Sequence, residues 1–266
     1  MKQSRILSIY ERNQLLKYGF SDDDLIARGD LPVEYLTGLV KFKNLSIKVD
    51  QRVLIPRVET EELIDLMSNF CFGLKSKLAY LEVGTGSGAI SLAFYDFLMR
   101  QKNLQIDKFI MTDISKAALA SAQNNFQNIF GQSGLNKVKF LQSNLLESFS
   151  QEKFNLIVAN LPYIPSSEIE KLDASVKNHE PLLALDGGQT GFDLINQFLE
   201  QVLEKDLLID AGKIFLEVYE THDIKFIKDN FSHIWQNFEI EEVKDQFNRH
   251  RFLVLTKNLT FSRSAQ

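Results

Sequence analysis

From Leu78 to Thr256 short apolar runs alternate with segments of helical period, and this rhythm constrains the fold more than any other feature of the chain. The runs predict strands at Ala79–Val83, Phe109–Thr112, Val138–Gln142, Leu156–Ala159, Lys213–Val218, Phe238–Val243 and Phe252–Thr256. Helices are expected between most of them, at Ala89–Met99, Lys116–Phe130, Phe192–Leu203 and His222–Phe231. Such alternation implies an α/β fold in which a seven-stranded, mostly parallel sheet is covered on both faces. Only about eight residues separate the last two strands, too few for a helical crossover, so the final strand should run in reverse.

The segment before this rhythm reads differently. From Ser4 to about Gly38 the pattern is helical, with Ser21 opening a second short helix ahead of three aspartates. "LVKFKNLSIKVDQRVLI" alternates about Lys43-Asn44 and predicts a β-hairpin, and Thr60 is placed to cap a helix running to about Phe70. The expected division is a small helical cap over 1–38, a hairpin linker over 39–56 and a main α/β domain over 57–266.

Composition narrows the classes of function. A net charge of -5 argues against direct contact with nucleic acid, whose phosphates call for a basic face. Cys71 is the only cysteine, which leaves no disulfide framework and suits a reducing cytoplasm. The N-terminal stretch lacks an apolar core with a cleavage site, and no 18-residue apolar run occurs, so a cytoplasmic protein without a membrane partner is expected, acting as a monomer. His179, His222, His233 and His250 lack ligand spacing, so no metal site is expected.

Three features at the carboxyl ends of strands carry chemistry. "LEVGTGSGAISLAF" sets Gly84, Gly86 and Gly88 between the first sheet strand and its helix, where open α/β sheets bind ligands and glycine lets backbone approach closely. The second strand ends at Asp113, an acid able to accept hydrogen bonds from both hydroxyls of a ribose. The fourth strand ends in "NLPYIP". A turn explains Asn160 and Pro162 but not Tyr163 and Pro165. A planar NH₂ group awaiting a methyl would explain them. The Asn160 side-chain oxygen and the Leu161 carbonyl could accept its two N–H bonds, Pro162 would stiffen the loop, and the Tyr163 ring could stack on the acceptor.

With "EVGTGSG", Asp113 and "NLPY" in this order, the chain resembles a class I S-adenosylmethionine-dependent methyltransferase of Rossmann-like fold. "QRVLIPRVETEELI" at 51–64 and "HEPLLALDGGQTGFDLI" at 179–195 narrow the resemblance to the PrmC/HemK family, which methylates the glutamine amide in the Gly-Gly-Gln motif of peptide-chain release factors. The resemblance implies S-adenosyl-L-methionine as cofactor and a release factor as partner. It implies cofactor contacts at Gly84, Thr85, Gly86, Ser87, Gly88, Asp113, Asn144, Leu145 and Asn160, and an acceptor clamp of Asn160, Leu161, Pro162 and Tyr163. Glu82 is expected to support the loop.

The chain departs from the family pattern at several points. Asn144 stands for the usual Asp, Leu161 for the first proline of "NPPY", Val58 for a proline and Tyr219 for a glycine, and the helical domain ahead of Pro56-Arg57 is shortened. Arg57 and His179 receive no role. The same loop also resembles that of adenine N6 methyltransferases acting on ribosomal RNA or DNA, which is the alternative. An idle cofactor-binding module would have no use for the intact "NLPY". The chain's own "GGQ" at Gly187–Gln189 coincides with the family's "DGG" turn and is read as coincidence.

Overall fold

The computed structural model describes residues 5–74, 77–101 and 103–258. Three short helices come first: α1 (Ile9–Tyr18), α2 (Asp22–Ile26) and α3 (Val33–Thr37). Ser8 and Ser21 begin the first two through capping boxes, each side chain accepting from the N3 amide while Glu11 or Asp24 reaches back. Leu7, Leu15, Leu25 and Val33 form a small apolar cluster of their own. The hairpin follows as expected, β1 (Leu39–Phe42) and β2 (Leu45–Lys48), turning through Lys43 at φ 49°. Its inward residues Val40, Phe42 and Ile47 belong to the main core rather than to the cluster of the cap.

The larger unit runs α4 (Glu61–Phe72), β3 (Leu78–Val83), α5 (Ala89–Met99), β4 (Ile106–Asp113), α6 (Lys116–Leu135), β5 (Lys139–Gln142), β6 (Phe154–Ala159), α7 (Ala174–Lys177), α8 (Asp193–Glu204), β7 (Leu208–Glu217), α9 (Ile224–Asn230), α10 (Ser232–Asn237), β8 (Phe238–Lys244) and β9 (His250–Lys257). The strands order as β5-β4-β3-β6-β7-β9-β8, and β9 is antiparallel to both its neighbours while the other contacts are parallel. The reversed last strand is therefore as expected from its short connection.

Every residue of β3 and β6 is buried, the signature of central strands covered on both faces. Alternate residues feed two cores. Tyr80, Leu156, Val158 and Phe215 face one with α4, α5 and α6, while Leu81, Val83, Ile157 and Ile214 face the other with α8. The chain leaves β3 toward β4 on one side and returns to β6 on the other. The carboxyl ends of β3 and β6 thus flank the crevice where open sheets take ligands.

Several elements differ from expectation. Regular helical geometry in α6 breaks at Gly131 (φ 68°, ψ -175°), next to the expected end at Phe130, and one further turn follows. Strand β7 starts at Leu208 rather than Lys213, with a register shift against β6 and Ala211 at φ 59°. Helix α9 begins after Asp223, whose side chain accepts from the Phe226 amide, so His222 lies outside it. The helix α10 and the short turns over 166–184 had no counterpart in the sequence pattern. Ser4 and the last residues of the chain, 259–266, lie outside the described residues.

Candidate active site

At the carboxyl edge of the sheet one cavity gathers residues far apart in sequence. Its walls include Gly84, Thr85, Gly86 and Ser87, then Asp113, Asn144 and Leu145, and finally Asn160, Leu161 and Pro162. Gly88 and Tyr163 do not line it. Two segments not assigned to the site add to it, Arg52, Val53 and Leu54 with Pro56 and Arg57 from the hairpin side, and Pro181, Leu183 and Ala184 from the turns after β6.

The glycine loop is built by contacts on every side. Thr85 donates its amide to the Thr112 carbonyl at 2.8 Å, bringing the loop across the top of β4. Gly86 sits at φ 55°, and a Cβ there would meet nothing within 4 Å, so the backbone lies open to the cavity. Gly88 has the opposite reason for being glycine. A Cβ would fall 2.5 Å from the Leu92 side chain and 3.2 Å from Ala122 and Met111, so its absence lets α5 pack on α6 and the sheet. Asn125 of α6, 1% exposed, exchanges hydrogen bonds with the Lys48 backbone and donates to the Ser87 carbonyl at 2.9 Å. It joins the hairpin to the loop.

Glu82 lies beneath, with its carboxylate accepting from the Thr85 hydroxyl at 2.6 Å and from Ser91. Burial pushes its pKa up to about 7, against the opposing effect of those two donors. Asp113 is 9% exposed. One oxygen accepts from Gly86 N at 2.9 Å and the other from Ser115 N at 2.8 Å, which fixes the carboxylate plane beside the cavity. Burial raises its pKa, and the two amides pull it back. Asn144 is exposed and donates its amide to Glu147 at 2.7 Å, leaving its oxygen free of that bond. Leu145 is 7% exposed at φ 47°, a conformation costly for a leucine, and is held by the Leu146 amide donating to Gln201 at 2.8 Å.

The "NLPY" loop is braced from behind. Ile164 and Asp186 form a bridge, with Ile164 N donating to the Leu185 carbonyl and Gly187 N to that of Ile164. At Gly187 a Cβ would lie 2.7 Å from the Pro162 carbonyl, so this glycine is required by backbone contact. The first glycine of the "GGQ" triplet thus packs against the loop, while Gly188 lies against Asp193 and Gln189 is exposed. The backbone amide of Gln189 donates to Asp193, and none of the three residues lines the cavity.

A buried carboxylate absent from the sequence expectations organises the front. Glu217, 1% exposed at the end of β7, accepts from the Thr60 hydroxyl at 2.6 Å, the Asn160 side-chain amide at 3.1 Å and the Tyr163 hydroxyl at 3.0 Å. Its pKa is raised by burial, opposed by Thr60 and Tyr163. Thr60 was expected to cap α4, yet its side chain makes no cap bond and serves Glu217 instead. The Tyr163 ring stacks at 29° on Tyr219, centroids 6.2 Å apart. The clue available in sequence was a glutamate closing the apolar run "KIFLEV", since buried strand positions rarely hold an unpartnered acid.

Among the described residues no helix is long and apolar enough to cross a membrane, and no group of three or more His, Cys, Asp or Glu could hold a metal. A family model described as a methyltransferase domain matches residues 74–186. The solved structure of a methyltransferase from Pyrococcus furiosus superposes with a TM-score of 0.55 at 17% identity, covering 93% of this chain and 98% of that one, a likeness of fold. A release factor glutamine methyltransferase of Leptospira interrogans is 33% identical over 246 residues, 92% of this chain and 82% of that protein. One from Streptococcus pneumoniae is 34% identical, over 84% and 74%. With that identity over most of both chains, on a methyltransferase fold, the chain belongs to the release factor glutamine methyltransferase family.

Proposed function

We propose that this protein transfers a methyl group from S-adenosylmethionine to the side-chain amide nitrogen of the glutamine in the Gly-Gly-Gln motif of a peptide-chain release factor. The observation that carries this is the shared cavity, in which the open backbone at Gly86 and the Asp113 carboxylate share a wall with Asn160 and Leu161. These residues fit the cofactor. Asp113 offers carboxylate oxygens for ribose hydroxyls, the Asn144 oxygen can accept from an adenine amine, Leu145 gives an apolar face, and the bare Gly86 leaves room for the methionine part. S-adenosylmethionine supplies an electrophilic methyl on a sulfonium, which departs as a neutral thioether.

The chain's own task is with the acceptor. An amide nitrogen is a poor nucleophile because its lone pair is delocalised, so alignment has to supply much of the rate. Asn160 Oδ1 and the Leu161 carbonyl accept its two N–H bonds and strengthen as positive charge grows on nitrogen. When the N–C bond has formed and the S–C bond has broken, the nitrogen loses one of these protons to water. Burial keeps the groups behind the clamp dry, which favours every one of these dipoles.

The names of the relatives support the glutamine amide over an adenine N6 acceptor, and a net charge of -5 supports action without direct nucleic-acid contact. We infer a monomeric, cytoplasmic enzyme with a cap over 1–38, a hairpin over 39–56 and the catalytic unit over 57–266. Incubation with tritiated S-adenosylmethionine and separate pools of release factor, ribosomal RNA and DNA tests the proposal. Label on the Gly-Gly-Gln peptide by mass spectrometry is expected, and label on adenine instead overturns it.

A further inference from the structure

We propose that Glu217 is a positioning residue for methyl transfer, holding the Asn160 amide with its nitrogen turned inward and its oxygen turned to the acceptor. The inference deepens the function proposed above and rests on it. Strand β7 pairs with β6 so that Leu216 lies beside Ala159, and the next residue along each segment brings Glu217 and Asn160, just past the end of β6, together at the carboxyl edge of the sheet. The glutamate is 1% exposed. Its Oε2 takes the Asn160 amide at 3.1 Å and the Thr60 hydroxyl at 2.6 Å, and its Oε1 takes the Tyr163 hydroxyl at 3.0 Å.

An ionised carboxylate only accepts hydrogen bonds, so the end of Asn160 that meets it has to be NH₂. This decides an orientation that an asparagine does not decide alone. The two ends of its amide are nearly the same size, and a flipped Asn160 would present N–H to an acceptor that itself offers N–H. The clamp would then repel the group it is meant to hold. Three donors converge on Glu217 and the nearby Arg251 charge favours its ionised form against burial, while among the described residues no lysine or arginine lies within ion-pair distance of it. A bridge that only tied elements together could be made from neutral amides at lower desolvation cost. A carboxylate adds a defined polarity. In the transition state the chain from acceptor N–H to Asn160 Oδ1 and from Asn160 N–H to Glu217 is aligned head to tail, so each bond polarises the next.

The test exchanges the two groups. Glu217→Gln replaces an acceptor-only group by an amide that can turn an N–H₂ toward Asn160, so the orientation of Asn160 is no longer enforced, and Asn160→Asp sets two carboxylates together. Each single variant should lose roughly 30-fold or more in kcat, with the KM for release factor and the Kd for cofactor changed by less than about 3-fold. The double variant restores complementarity. The amide nitrogen introduced at position 217 would donate to the carboxylate introduced at position 160, and the amide oxygen would still receive Tyr163. The Thr60 hydroxyl would rotate to accept, and the second oxygen of the new carboxylate would face the acceptor. The kcat of the double variant should exceed that of each single variant by at least about 10-fold. A role confined to folding would restore thermal stability in the double variant without restoring kcat, and that result overturns the proposal. So does a Glu217→Gln variant with near-parental kcat, or a failure of both Glu217→Gln and the double variant to fold. A wild-type enzyme that does not label the release-factor glutamine sinks the underlying function instead, and is read before any variant.

Discussion

The Arg57 guanidinium reaches over 123 residues of sequence to Glu180 and lies 2.5 Å from its Oε1, while Oε2 of the same carboxylate accepts from the Ile55 amide at 3.1 Å. Two segments recognisable in the sequence but without a role, "IPR" and "HEP", are thereby locked as one corner of the cavity, with Arg57 and Pro181 both in its wall. Burial, the largest single effect, would lower the pKa of Arg57, but the charge and hydrogen bond of Glu180, together with Tyr163 and Glu34, outweigh it and raise it. The Glu180 side chain is 1% exposed and that of Arg57 35%, so the carboxylate has far more to lose than the cation.

Arg57→Met should therefore leave a buried carboxylate with a single amide for company. Breaking buried pairs costs roughly 3–5 kcal/mol, and the half-open cation lowers this to about 2–3 kcal/mol. At ~2–4 °C per kcal/mol for a unit of this size, the melting temperature should drop by about 5–10 °C. Glu180→Gln should drop it less, because the charge itself is gone. Equal losses in the two variants, measured by thermal unfolding, would contradict this asymmetry.

At Asn144 the structure changes what a sequence comparison alone suggests. The usual acid at this position should accept more strongly from an adenine amine than an asparagine does. Here, however, Asn144 donates to Glu147 at 2.7 Å. Asn144→Asp would set two carboxylates together, and the gain in cofactor affinity should be small or absent. Asn144→Asp combined with Glu147→Gln should bind cofactor several-fold more tightly than Asn144→Asp alone. Calorimetric titration with S-adenosylmethionine decides it, and identical affinities would mean that Glu147 does not govern this position.

How much of this was legible in sequence follows from how local each signal is. The strands β3 and β6 and the helix α5 were found within a residue or two, because burial on both faces and helical period are written in consecutive residues. The turns over 166–184 were not. They are held by distant partners, such as the Ser166 amide on the Gly188 carbonyl, and have no period of their own. Gly84–Ser87, Asp113, Asn144–Leu145 and Asn160–Pro162 do line one cavity, since each sits at the carboxyl end of a strand or just beyond. Glu217 and the true use of Thr60 stayed hidden. The donors to that carboxylate come from 157, 57 and 54 residues away, and Thr60 carries the same local pattern whether it caps a helix or not.

His222 sets an acid limit on stability. It is fully buried, with Nε2 3.1 Å from the Thr190 carbonyl and its ring stacked at 28° on Phe226, and its Nδ1 has no hydrogen-bond partner among the described residues. Burial pushes its pKa down to about 4 from the ordinary 6.5, and the Thr190 carbonyl only partly opposes this. Between these values the unfolded chain holds a proton that the folded chain refuses, so this residue's contribution is full above about pH 6.5 and falls with decreasing pH. The slope is at most ~1.4 kcal/mol per pH unit, ending near pH 4. Glu82 works in the opposite sense. Its raised pKa of about 7 removes stability as pH rises from 4.5 toward 7, so the wild-type profile alone would mask the histidine. The difference between wild type and His222→Phe isolates it. Urea unfolding from pH 7 to 4.5 should show His222→Phe gaining on the wild type as pH falls, and a constant difference would mean that His222 titrates normally.

The clamp supplies the last prediction. Asn160 is set between Glu217, which accepts from its nitrogen at 3.1 Å, and the cavity, which its residue lines. If its oxygen orients the acceptor, the interaction is worth most when charge has grown on the reacting nitrogen, so its loss should appear in kcat more than in either binding constant. Asn160→Ala should lower the rate of methyl transfer by roughly 10²-fold, by analogy with removing one preorganised polar group at a reacting centre, while cofactor affinity changes by less than about 3-fold. Tyr163→Phe acts one step further away. It removes a hydroxyl that meets Glu217 at 3.0 Å and leaves the ring on Tyr219, so its rate loss should be about tenfold smaller than that of Asn160→Ala. Tritium transfer to a release factor under single-turnover conditions measures both. Asn160→Ala turning over at near-parental rate, or Tyr163→Phe losing as much as Asn160→Ala, would refute a mechanism in which the asparagine oxygen aligns the amide and the tyrosine hydroxyl only steadies it.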